Sequence, residues 1–299
     1  MTTDRELDCA ILIPTRNREV LLSETLAKLR AADLSHLPLW LYDDASDDPN
    51  MVRRVADARW PDARIVRQDT CHGQAFGRNT LLRQCNCRFA ILLDDDQYFV
   101  RVGNLFDYMD GKKTTRACAV LFFQCRDRTD GRLDVPETFH AGKTSSFMAG
   151  AVMFDVGAVL EVGGYRDYWG YGYEEPELAM RLYARGYHVW YEPDIMVEHN
   201  HVLTGDADRD DSQYDYYYAR NSILLSSLNM PLWLGLPAGL FRSFRRSLYV
   251  LRNPIPKLKG TLSGIKMTFT KWKDRSPMPT RQAFAWMAFR KKTLQQTVS

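Results

Sequence analysis

The sequence predicts an α/β fold in which a mostly parallel central sheet is flanked by helices. Strand-like and helix-like segments alternate over the first half of the chain, which is the pattern of successive βαβ units. With 299 residues, 45% of them hydrophobic, the chain can bury one large core. From residue 214 onward the pattern is helical and prolines interrupt it. We therefore expect an α/β domain over residues 1–230 and a basic helical appendage over residues 231–299.

The individual elements follow from apolar spacing and from turn residues. Leu22, Leu26 and Leu29 mark one face of a helix. Pro176 suits the first turn of a helix that ends before Gly186. The predicted strands cover residues 9–14, 39–43, 63–67, 89–93, 117–124, 147–154, 188–192 and 196–199. The predicted helices of the first half cover residues 19–32, 49–58 and 74–84.

The cysteines and the apolar runs indicate a reduced, cytosolic protein. The six cysteines form no Cys-x-x-Cys pair, and several lie inside apolar strand-like runs, where a free thiol is ordinary. The longest apolar stretch, residues 231–241, is well below the ~20 residues that span a bilayer. We expect the protein in the cytoplasm, with the cytoplasmic face of the inner membrane as the alternative site.

Charge is unevenly distributed along the chain. The net charge is +3, but residues 231–299 hold fourteen Lys and Arg and one acid, Asp274, which gives +13 there and −10 for the rest. Such an asymmetry indicates two surfaces with different partners. Nucleic acid is not expected as a partner, because the body is acidic and no recognised nucleic-acid motif is present.

Three consecutive aspartates follow the predicted buried strand 89–93. Asp94, Asp95 and Asp96 repel one another and are costly to desolvate unless a cation compensates them. In open α/β sheets, ligands bind at the carboxyl ends of the strands. Hard oxygen ligands favour Mg²⁺ or Mn²⁺ over zinc. The triplet therefore predicts a divalent-metal site, with a solvated acidic turn as the alternative.

Two other predicted strands also end in polar residues. The first ends in a segment that contains Thr15 and Arg18, and the second ends near Asp44. Cationic side chains beside a metal would hold a diphosphate, and a carboxylate would accept from the N–H of a nucleobase. Arg78, on a helix that enters the same edge, would reach a phosphate or a ribose. Each segment alone is more typical of a capped strand–helix turn, and it is the convergence of three such strand ends that favours a binding site.

A pair of acids follows an aromatic, glycine-rich segment. Glu174 and Glu175 precede Pro176, and a carboxylate at this position can remove a proton from a hydroxyl. Rings such as Trp169 and Tyr171 suit stacking against the C–H face of a sugar. The alternative is that the acids only favour the helix N-terminus electrostatically.

Two histidines end the last predicted strand of this region. His199 and His201 can each complete the coordination of a metal beside carboxylates, although a histidine at a strand end is more often structural.

Taken together and in this order, these segments resemble glycosyltransferase family 2, the inverting nucleotide-sugar transferases of GT-A fold. The resemblance covers residues 9–205. It rests on the segments IPTRNR, YDDASDD, GQAFGRN, LLDDDQYF, GYGYEEPELAMRL and VEHNH. The later segment YYYARN and the basic tail resemble members that build bacterial surface polysaccharides.

The resemblance implies roles for the residues that match on the nucleotide side. Pro14, Thr15 and Arg18 would line the nucleotide pocket. Asp44 would contact the base, and Arg78 would lie near the ribose or the phosphates.

On the metal side, the family's Asp-x-Asp motif falls on Asp94 and Asp96. The resemblance implies Asp96 as the direct metal ligand, with Asp94 also at the metal and the donor, and Asp95 near the ribose or donor sugar. His199 fits the family's later histidine near the metal or diphosphate, with His201 as the alternative.

On the acceptor side, Glu175 aligns with the second acid of the family's Glu-Asp pair, the catalytic base. This chain has Glu where the family has Asp, so Glu174 stays open as the base. Glu174, Trp169 and Tyr171 are assigned to acceptor binding.

The function that the resemblance implies is metal-dependent, inverting transfer of a sugar from a nucleoside-diphosphate donor to a hydroxyl of a saccharide or lipid-linked acceptor. Two alternatives remain. Sugar nucleotidyltransferases also carry metal-binding aspartates, but they have a glycine-rich first loop that this chain lacks. A non-catalytic sugar- or membrane-binding relative would be expected to lose the aspartates or the acid pair.

The tail allows two interpretations. Phe241 and Phe244 share one helical face with other apolar residues, whereas Arg242 and Arg245 mark another. Such helices would lie on an anionic bilayer, which gives peripheral membrane association through residues 231–299. The alternative is an appendage that packs on the catalytic domain with a solvated basic face.

Overall fold

The computed structural model describes residues 8–109, 117–200, 211–249 and 253–296. Its first half is a regular alternation of strands and helices. The elements are β1 (Cys9–Thr15), α1 (Glu19–Ala31), β2 (Leu39–Asp44), α2 (Met51–Arg59), β3 (Arg64–Gln68), α3 (Gln74–Gln84) and β4 (Phe89–Leu93). Every one of these was predicted from the sequence to within two residues at each end.

The second half contains β5 (Gln97–Arg101), α4 (Leu105–Met109), β6 (Cys118–Asp127), β7 (Gly142–Thr144), β8 (Ala151–Asp155), α5 (Val156–Glu161), α6 (Glu174–Ala184) and β9 (His188–His199). Here the predicted boundaries are less accurate. β8 begins four residues later than expected and α6 begins two residues before Pro176. The two strands expected after residue 187 are one continuous strand, β9, and β5 was not predicted.

The strands form one sheet in the order β3-β2-β1-β4-β8-β6-β9-β5, and β7 also pairs with β9. The first four strands of this order are parallel, as predicted. β8 then runs antiparallel to both β4 and β6. β9 is parallel to β6, and β5 is antiparallel to β9. The parallel half brings the carboxyl ends of β1, β2 and β4 to one edge.

Side chains that alternate along the central strands enter two separate cores. In β4, Ala90 and Leu92 contact the core on one face of the sheet, whereas Phe89, Ile91 and Leu93 contact the core on the other. This explains why the strand is a continuous apolar run rather than an alternating one. Helices α1 and α2 cover one face, and α3, α5 and α6 cover the other.

A buried ion cluster anchors helix α6. Glu177 is 1% exposed. It accepts hydrogen bonds from Arg181 at 2.6 Å and Arg166 at 2.7 Å. Burial opposes ionisation, but the two guanidinium groups outweigh it and lower the pKa of Glu177 to about 2. Glu177 thus has a structural role, and the two acids before it face the candidate site.

This cluster predicts a pH-dependent loss of stability. Glu177→Gln should lower the free energy of unfolding by about 3–5 kcal/mol at pH 7, because it leaves two buried guanidinium groups without their carboxylate. The stabilisation by Glu177 is present above its ordinary pKa of 4.5 and is lost as the pH falls toward about 2. Urea unfolding at pH 7 and pH 3 should therefore show a smaller difference from wild type at pH 3. Asp57→Asn, in the exposed Arg53–Asp57 pair, is the control and should change stability by less than about 1 kcal/mol.

The C-terminal region contains α7 (Asp211–Asn229), α8 (Leu232–Tyr249), α9 (Pro254–Thr270) and α10 (Thr280–Gln296), with a short 3-10 helix, Trp272–Asp274, after α9. The proposed boundary at residue 230 falls between α7 and α8. Trp286 of α10 is 3% exposed and belongs to the core that α6 covers. Part of the tail therefore packs on the α/β domain. Among the described residues, no helix has the length and hydrophobicity needed to cross a bilayer.

Candidate active site

The predicted polar residues at the ends of β1, β2 and β4 meet at one edge of the sheet. A pocket of about 230 Å³ opens there. Its lining includes residues predicted to bind a nucleotide sugar, namely Pro14, Thr15, Arg18, Asp44, Asp94 and Asp95. The parallel pairing explains this convergence. β2, β1 and β4 are neighbours in the sheet and run in the same direction, so the residues that follow their carboxyl ends lie side by side.

Asp95 is, with Asp96, one of the two buried carboxylates of the triplet. It is 3% exposed and accepts hydrogen bonds from the Thr15 hydroxyl and from Arg18 Nη1, both at 2.6 Å. Burial raises the pKa of Asp95 to about 6, although Arg18 opposes the shift. Arg18 Nη1 also lies 3.1 Å from Asp96 Oδ2. Arg18 and the aspartates thus hold one another at the pocket wall.

Asp96 and His199 are brought together by the unpredicted strand β5. β5 begins directly after the triplet and pairs antiparallel with β9, so that Gln97 lies opposite His199. His199 Nε2 is 3.2 Å from Asp96 Oδ1. Although burial opposes protonation of His199, Asp96 outweighs it and raises the pKa of the imidazole. His201 lies outside the described residues.

The residues present fit a divalent cation in part. Two ligands of one octahedral ion, each at ~2.1 Å, lie roughly 3 Å apart, which is close to the separation of Asp96 Oδ1 and His199 Nε2. Asp94 Oδ1 accepts a hydrogen bond from Arg78 at 2.9 Å, and its predicted role as a metal ligand stays a prediction. Within residues 8–109, 117–200, 211–249 and 253–296, no group of three or more His, Cys, Asp or Glu is placed to hold an ion. Asp96 and His199 would hold the metal with oxygens of a bound diphosphate.

Arg78 connects the donor side of the site with the acid pair. It is 3% exposed, bonds to Asp94, and its guanidinium lies 5.7 Å from the centre of the Tyr165 ring. Burial disfavours its charge, but Asp94, Tyr165 and Glu175 outweigh that effect and raise the pKa of Arg78. Arg78 therefore remains a cation, between the carboxyl groups of Asp94 and Glu175.

The acid pair is enclosed, and the carboxyls hold protons more tightly than usual. Burial and the neighbouring Glu174 raise the pKa of Glu175 to about 7, while Arg78 acts in the opposite direction. Burial also raises the pKa of Glu174. A helix N-terminus ordinarily favours the ionised form of a carboxyl group. Desolvation is larger than the helix-terminal effect here, so Glu175 is poised to take up a proton near neutral pH.

Two consecutive residues, Ala149 and Gly150, link the acid pair with the aspartates. The Ala149 N–H donates to Glu175 Oε1 at 3.3 Å. Gly150 has φ +89°, and a Cβ at this position would lie 2.7 Å from Asp94 Oδ2 and would overlap Gln97 Oε1. Only glycine fits both the left-handed backbone and the contact. One turn of chain thus sets the spacing between Glu175 and Asp94.

Gly150→Ala should lower transfer by more than about tenfold, because the added methyl group displaces Asp94 and moves Ala149 away from Glu175. Gly163→Ala is a matched control. Gly163 has φ +87° and a Cβ there would meet nothing within 4 Å. Both variants should lose about 1–2 kcal/mol of stability, and only the first should lose activity. Equal activity in the two variants would contradict the role of Gly150.

Asp44 was predicted to contact the nucleobase, and in the structure its carboxylate accepts hydrogen bonds from the protein itself. It accepts hydrogen bonds from the N–H groups of His72 and Gly73, both at 2.8 Å, and from Tyr42 and Cys71 at 3.2 Å. Burial opposes ionisation, but these donors outweigh it and lower the pKa of Asp44. The carboxylate thus holds the loop beside the pocket. Contact with a nucleobase stays a prediction, and it would require the base to replace one of these donors.

The two aromatic residues assigned to the acceptor have opposite environments. Trp169 is 1% exposed, and its indole N–H donates to the carbonyl of Gly172 at 2.8 Å. The structure therefore places Trp169 in the core, where no sugar can stack on it. The indole instead fills the space beneath the loop that precedes α6. Tyr171 is 37% exposed and packs edge-on against Tyr214 of α7, so part of its ring is accessible four residues before Glu175.

Sequence reasoning missed several residues that support the site. Asn79 is fully buried and bonds to both the N–H and the carbonyl of Tyr165. The Tyr165 hydroxyl is buried and has no hydrogen-bond partner in the part of the chain that the structure describes. Gln97 accepts from the N–H of Asp94 at 3.2 Å. Asn79 follows Arg78 on α3, and this adjacency was the one available signal.

The comparison with protein families decides the assignment of this region. Residues 10–148 match the model for glycosyl transferase family 2. These residues, just under half of the chain, are therefore similar to glycosyltransferase family 2. The family predicted from the six segments is confirmed. The match covers the residues predicted for the nucleotide and the Asp triplet and ends before Glu174 and Glu175, so the roles of the acid pair rest on geometry.

One curated relative is the GalNAc(5)-diNAcBac-PP-undecaprenol beta-1,3-glucosyltransferase of Campylobacter jejuni. It is 30% identical over 128 residues, which are 42% of this chain and 40% of the relative. The aligned segment thus spans about two fifths of the length of the curated relative.

Solved structures resemble almost the whole chain. The mannosyltransferase PcManGT from Pyrobaculum calidifontis, in complex with GDP-Man and Mn²⁺, matches 97% of this chain and 84% of its own at 18% identity and a TM-score of 0.55. TarS 1–349 of S. aureus matches 97% and 88% at 14% identity and a TM-score of 0.62. These matches confirm the predicted GT-A fold, and at such identities they bear on the fold alone.

Proposed function

We propose that this chain is an inverting glycosyltransferase that moves a sugar from a nucleoside-diphosphate donor to a hydroxyl group of an acceptor. The match to glycosyl transferase family 2 supports glycosyl transfer. The edge of the sheet would supply two functions, a binding site for the diphosphate and a base for the acceptor hydroxyl. Arg18 and Arg78 provide positive charge beside the aspartates, where a diphosphate would bind. Glu175 provides the base.

The observation that carries this proposal is the placement of Arg78. Its guanidinium donates to Asp94 on the donor side at 2.9 Å, and the consecutive residues Ala149 and Gly150 contact Glu175 on the acceptor side and approach Asp94 closely. A sugar bound between Asp94 and Glu175 would have its leaving diphosphate near one group and the attacking hydroxyl near the other. In-line displacement needs that arrangement.

The bond changes are those of one displacement. The acceptor oxygen bonds to the anomeric carbon, and its proton moves to the Glu175 carboxylate. The bond from the anomeric carbon to the diphosphate oxygen breaks, and the diphosphate takes the electron pair. A single displacement inverts the configuration, by the logic of inverting glycosidases. A divalent cation held by Asp96 and His199 would neutralise the diphosphate and make it a better leaving group.

We further propose a saccharide acceptor that is carried by a lipid, in the synthesis of a bacterial surface polysaccharide or glycoconjugate. The curated relative is named for an undecaprenyl-diphosphate-linked saccharide, and this similarity supports the same acceptor class. Tyr171, whose ring is partly accessible, is the candidate for stacking on the acceptor sugar.

Donor hydrolysis, measured with Mn²⁺ and a panel of UDP-, dTDP- and GDP-sugars, tests the proposal. We expect one donor to be hydrolysed above background, and we expect an excess of EDTA to suppress that hydrolysis. Transfer to an acceptor from that donor should give the inverted anomer by NMR. No hydrolysis of any donor would favour a non-catalytic binding protein, and retention of configuration would exclude the single displacement.

A further inference from the structure

The C-terminal helices present large apolar side chains to the outside. In the described part of the chain, fourteen large hydrophobic side chains are exposed, and ten of them lie beyond residue 231. On α8 they are Trp233, Phe241 and Phe244, which recur at helical spacing and are each more than 60% exposed. On the following segments they are Ile255, Leu258, Leu262, Phe269, Trp272, Phe284 and Met287. We call this set the outer apolar surface.

The outer apolar surface lies on three neighbouring helices. Trp233 of α8 contacts Phe284 of α10, with ring centroids 6.4 Å apart. Ser243 of α8 and Thr261 of α9 are joined by a hydrogen bond of 3.0 Å between their hydroxyls. The exposed apolar residues therefore lie on neighbouring helices, and clusters of exposed apolar residues of this kind mark interaction sites.

The inner faces of α8 and α9 are built from small residues. Gly235 and Gly239 of α8 contact the backbone of α7, and a Cβ on Gly239 would lie 2.7 Å from Ile223 Cα. On α9, a Cβ on Gly264 would lie 2.8 Å from the carbonyl oxygen of Arg220, and one on Gly260 would overlap that of Tyr216. Small residues inside and large apolar residues outside is the arrangement of helices packed in lipid. Amphipathic helices in water show the reverse.

Basic side chains lie beside the outer apolar surface. Lys259 and Lys266 are exposed on α9. Each lies within four residues of two exposed apolar side chains of the set Leu258, Leu262 and Phe269. Arg245 is exposed beside Phe244 on α8. Over residues 231–299 there is one acid against fourteen bases. The face is thus both apolar and cationic, and its electrostatic complement is an anionic surface.

The positive charge of the tail favours an anionic bilayer over a second copy of the chain as the partner of the outer apolar surface. A second copy of the chain, paired through the same face, would bring two strongly basic tails together, and like charges at an interface cost several kcal/mol. Anionic phospholipid headgroups neutralise lysine and arginine, while the acyl region accepts Phe, Leu and Trp.

We propose that the outer apolar surface of α8, α9 and α10 lies in the headgroup region of an anionic phospholipid bilayer and holds the protein on the membrane without spanning it. The surface is one helix away from the acceptor side of the site. Asn221 of α7 donates to the carbonyls of Trp169, Tyr171 and Gly172, in the loop before Glu174. Delivery of a lipid-linked acceptor to this loop rests on the proposed function. Binding to the bilayer does not.

Flotation of the full chain with phosphatidylcholine vesicles, with and without 30% phosphatidylglycerol, tests the proposal. We expect the protein to float with the anionic vesicles and to be released as the salt concentration rises. The triple variant Phe241→Ser, Phe244→Ser, Leu258→Ser should lose at least tenfold in vesicle affinity. Lys259→Gln with Lys266→Gln should lose about fivefold for each lysine on anionic vesicles only. Val20→Ser with Val100→Ser, at exposed positions outside the surface, is the matched control and should float like wild type.

Donor hydrolysis in vesicle-free buffer, measured on each variant, separates folding and catalysis from membrane binding and should be unchanged. Wild type that stays unbound on anionic vesicles would overturn the proposal, whatever its activity. A wild-type dimer that the triple variant converts to a monomer, without any flotation, would assign the surface to a second copy instead. Flotation by a protein that hydrolyses no donor would support the membrane surface and contradict the proposed function alone.

Discussion

Replacing Glu175 by glutamine should lower kcat for sugar transfer by about 10²–10⁴-fold and leave donor affinity within about twofold. The amide keeps the size of the side chain but cannot take up the proton of the acceptor hydroxyl, and general-base catalysis contributes about that factor. Transfer kinetics and donor titration on the same preparation measure the two quantities. Loss of both together would count against Glu175 as the base.

Glu174→Gln is the matched control, because Glu174 is adjacent, is also partly buried and was left open as the base. It should retain most of kcat, and the opposite result would move the base to Glu174. The pH profile gives an independent test. The base must be ionised, and burial raises the pKa of Glu175 to about 7. Wild-type kcat/KM should therefore rise between about pH 6 and 8 with an apparent pKa that belongs to the coupled pair, and this rise should be absent in Glu175→Gln.

Replacing Asp96 by asparagine should remove the effect of the metal on donor binding. Asp96 Oδ1 lies beside His199 Nε2, and the amide offers a much weaker ligand to a divalent cation. We expect donor affinity with Mn²⁺ to fall at least about 100-fold, to the value that wild type shows in EDTA. Calorimetric titration of the unhydrolysed donor, with and without Mn²⁺, measures the change.

Asp57→Asn controls for loss of a surface carboxylate, since Asp57 lies on α2 in an exposed pair with Arg53. This control should bind the donor with metal as wild type does. If Asp96→Asn also kept its metal-enhanced affinity, Asp96 would not be a metal ligand. Thermal unfolding of both variants verifies that the exchange of Asp96, which also contacts Arg18, leaves the fold intact.

The sequence predicted the parallel half of the sheet because its signals are local. The run Phe89–Leu93 is apolar at every position, and the aspartates after it mark its end. The same reasoning failed for β5, which is separated from β4 by only the three aspartates. Gln97 and Tyr98 carry no apolar alternation, and the strand exists because β9, a hundred residues later, supplies its hydrogen bonds.

The site residues also divide into those that local sequence reveals and those that depend on tertiary contacts. Thr15, Arg18 and the aspartates were found because they end strands that lie next to one another. Trp169 was misassigned, since an aromatic residue beside an acid pair is typical of both a sugar platform and a core. Gly150 and Asn79 were not assigned a role, because their function depends on contacts with Asp94 and Tyr165 that no spacing in the sequence reveals.

The sequence by itself determined the α/β fold, the family, the edge of the sheet that carries the site, and the basic tail. Apolar periodicity and charge are written residue by residue, so they can be read without coordinates. Only the tertiary structure decided that Arg78 joins Asp94 to the acid pair, and that burial rather than the helix terminus controls Glu175. It also decided that α8 and α9 turn their glycines inward and present large apolar side chains outward. Desolvation and side-chain orientation depend on neighbours distant in sequence, and those neighbours are defined only once the chain has folded.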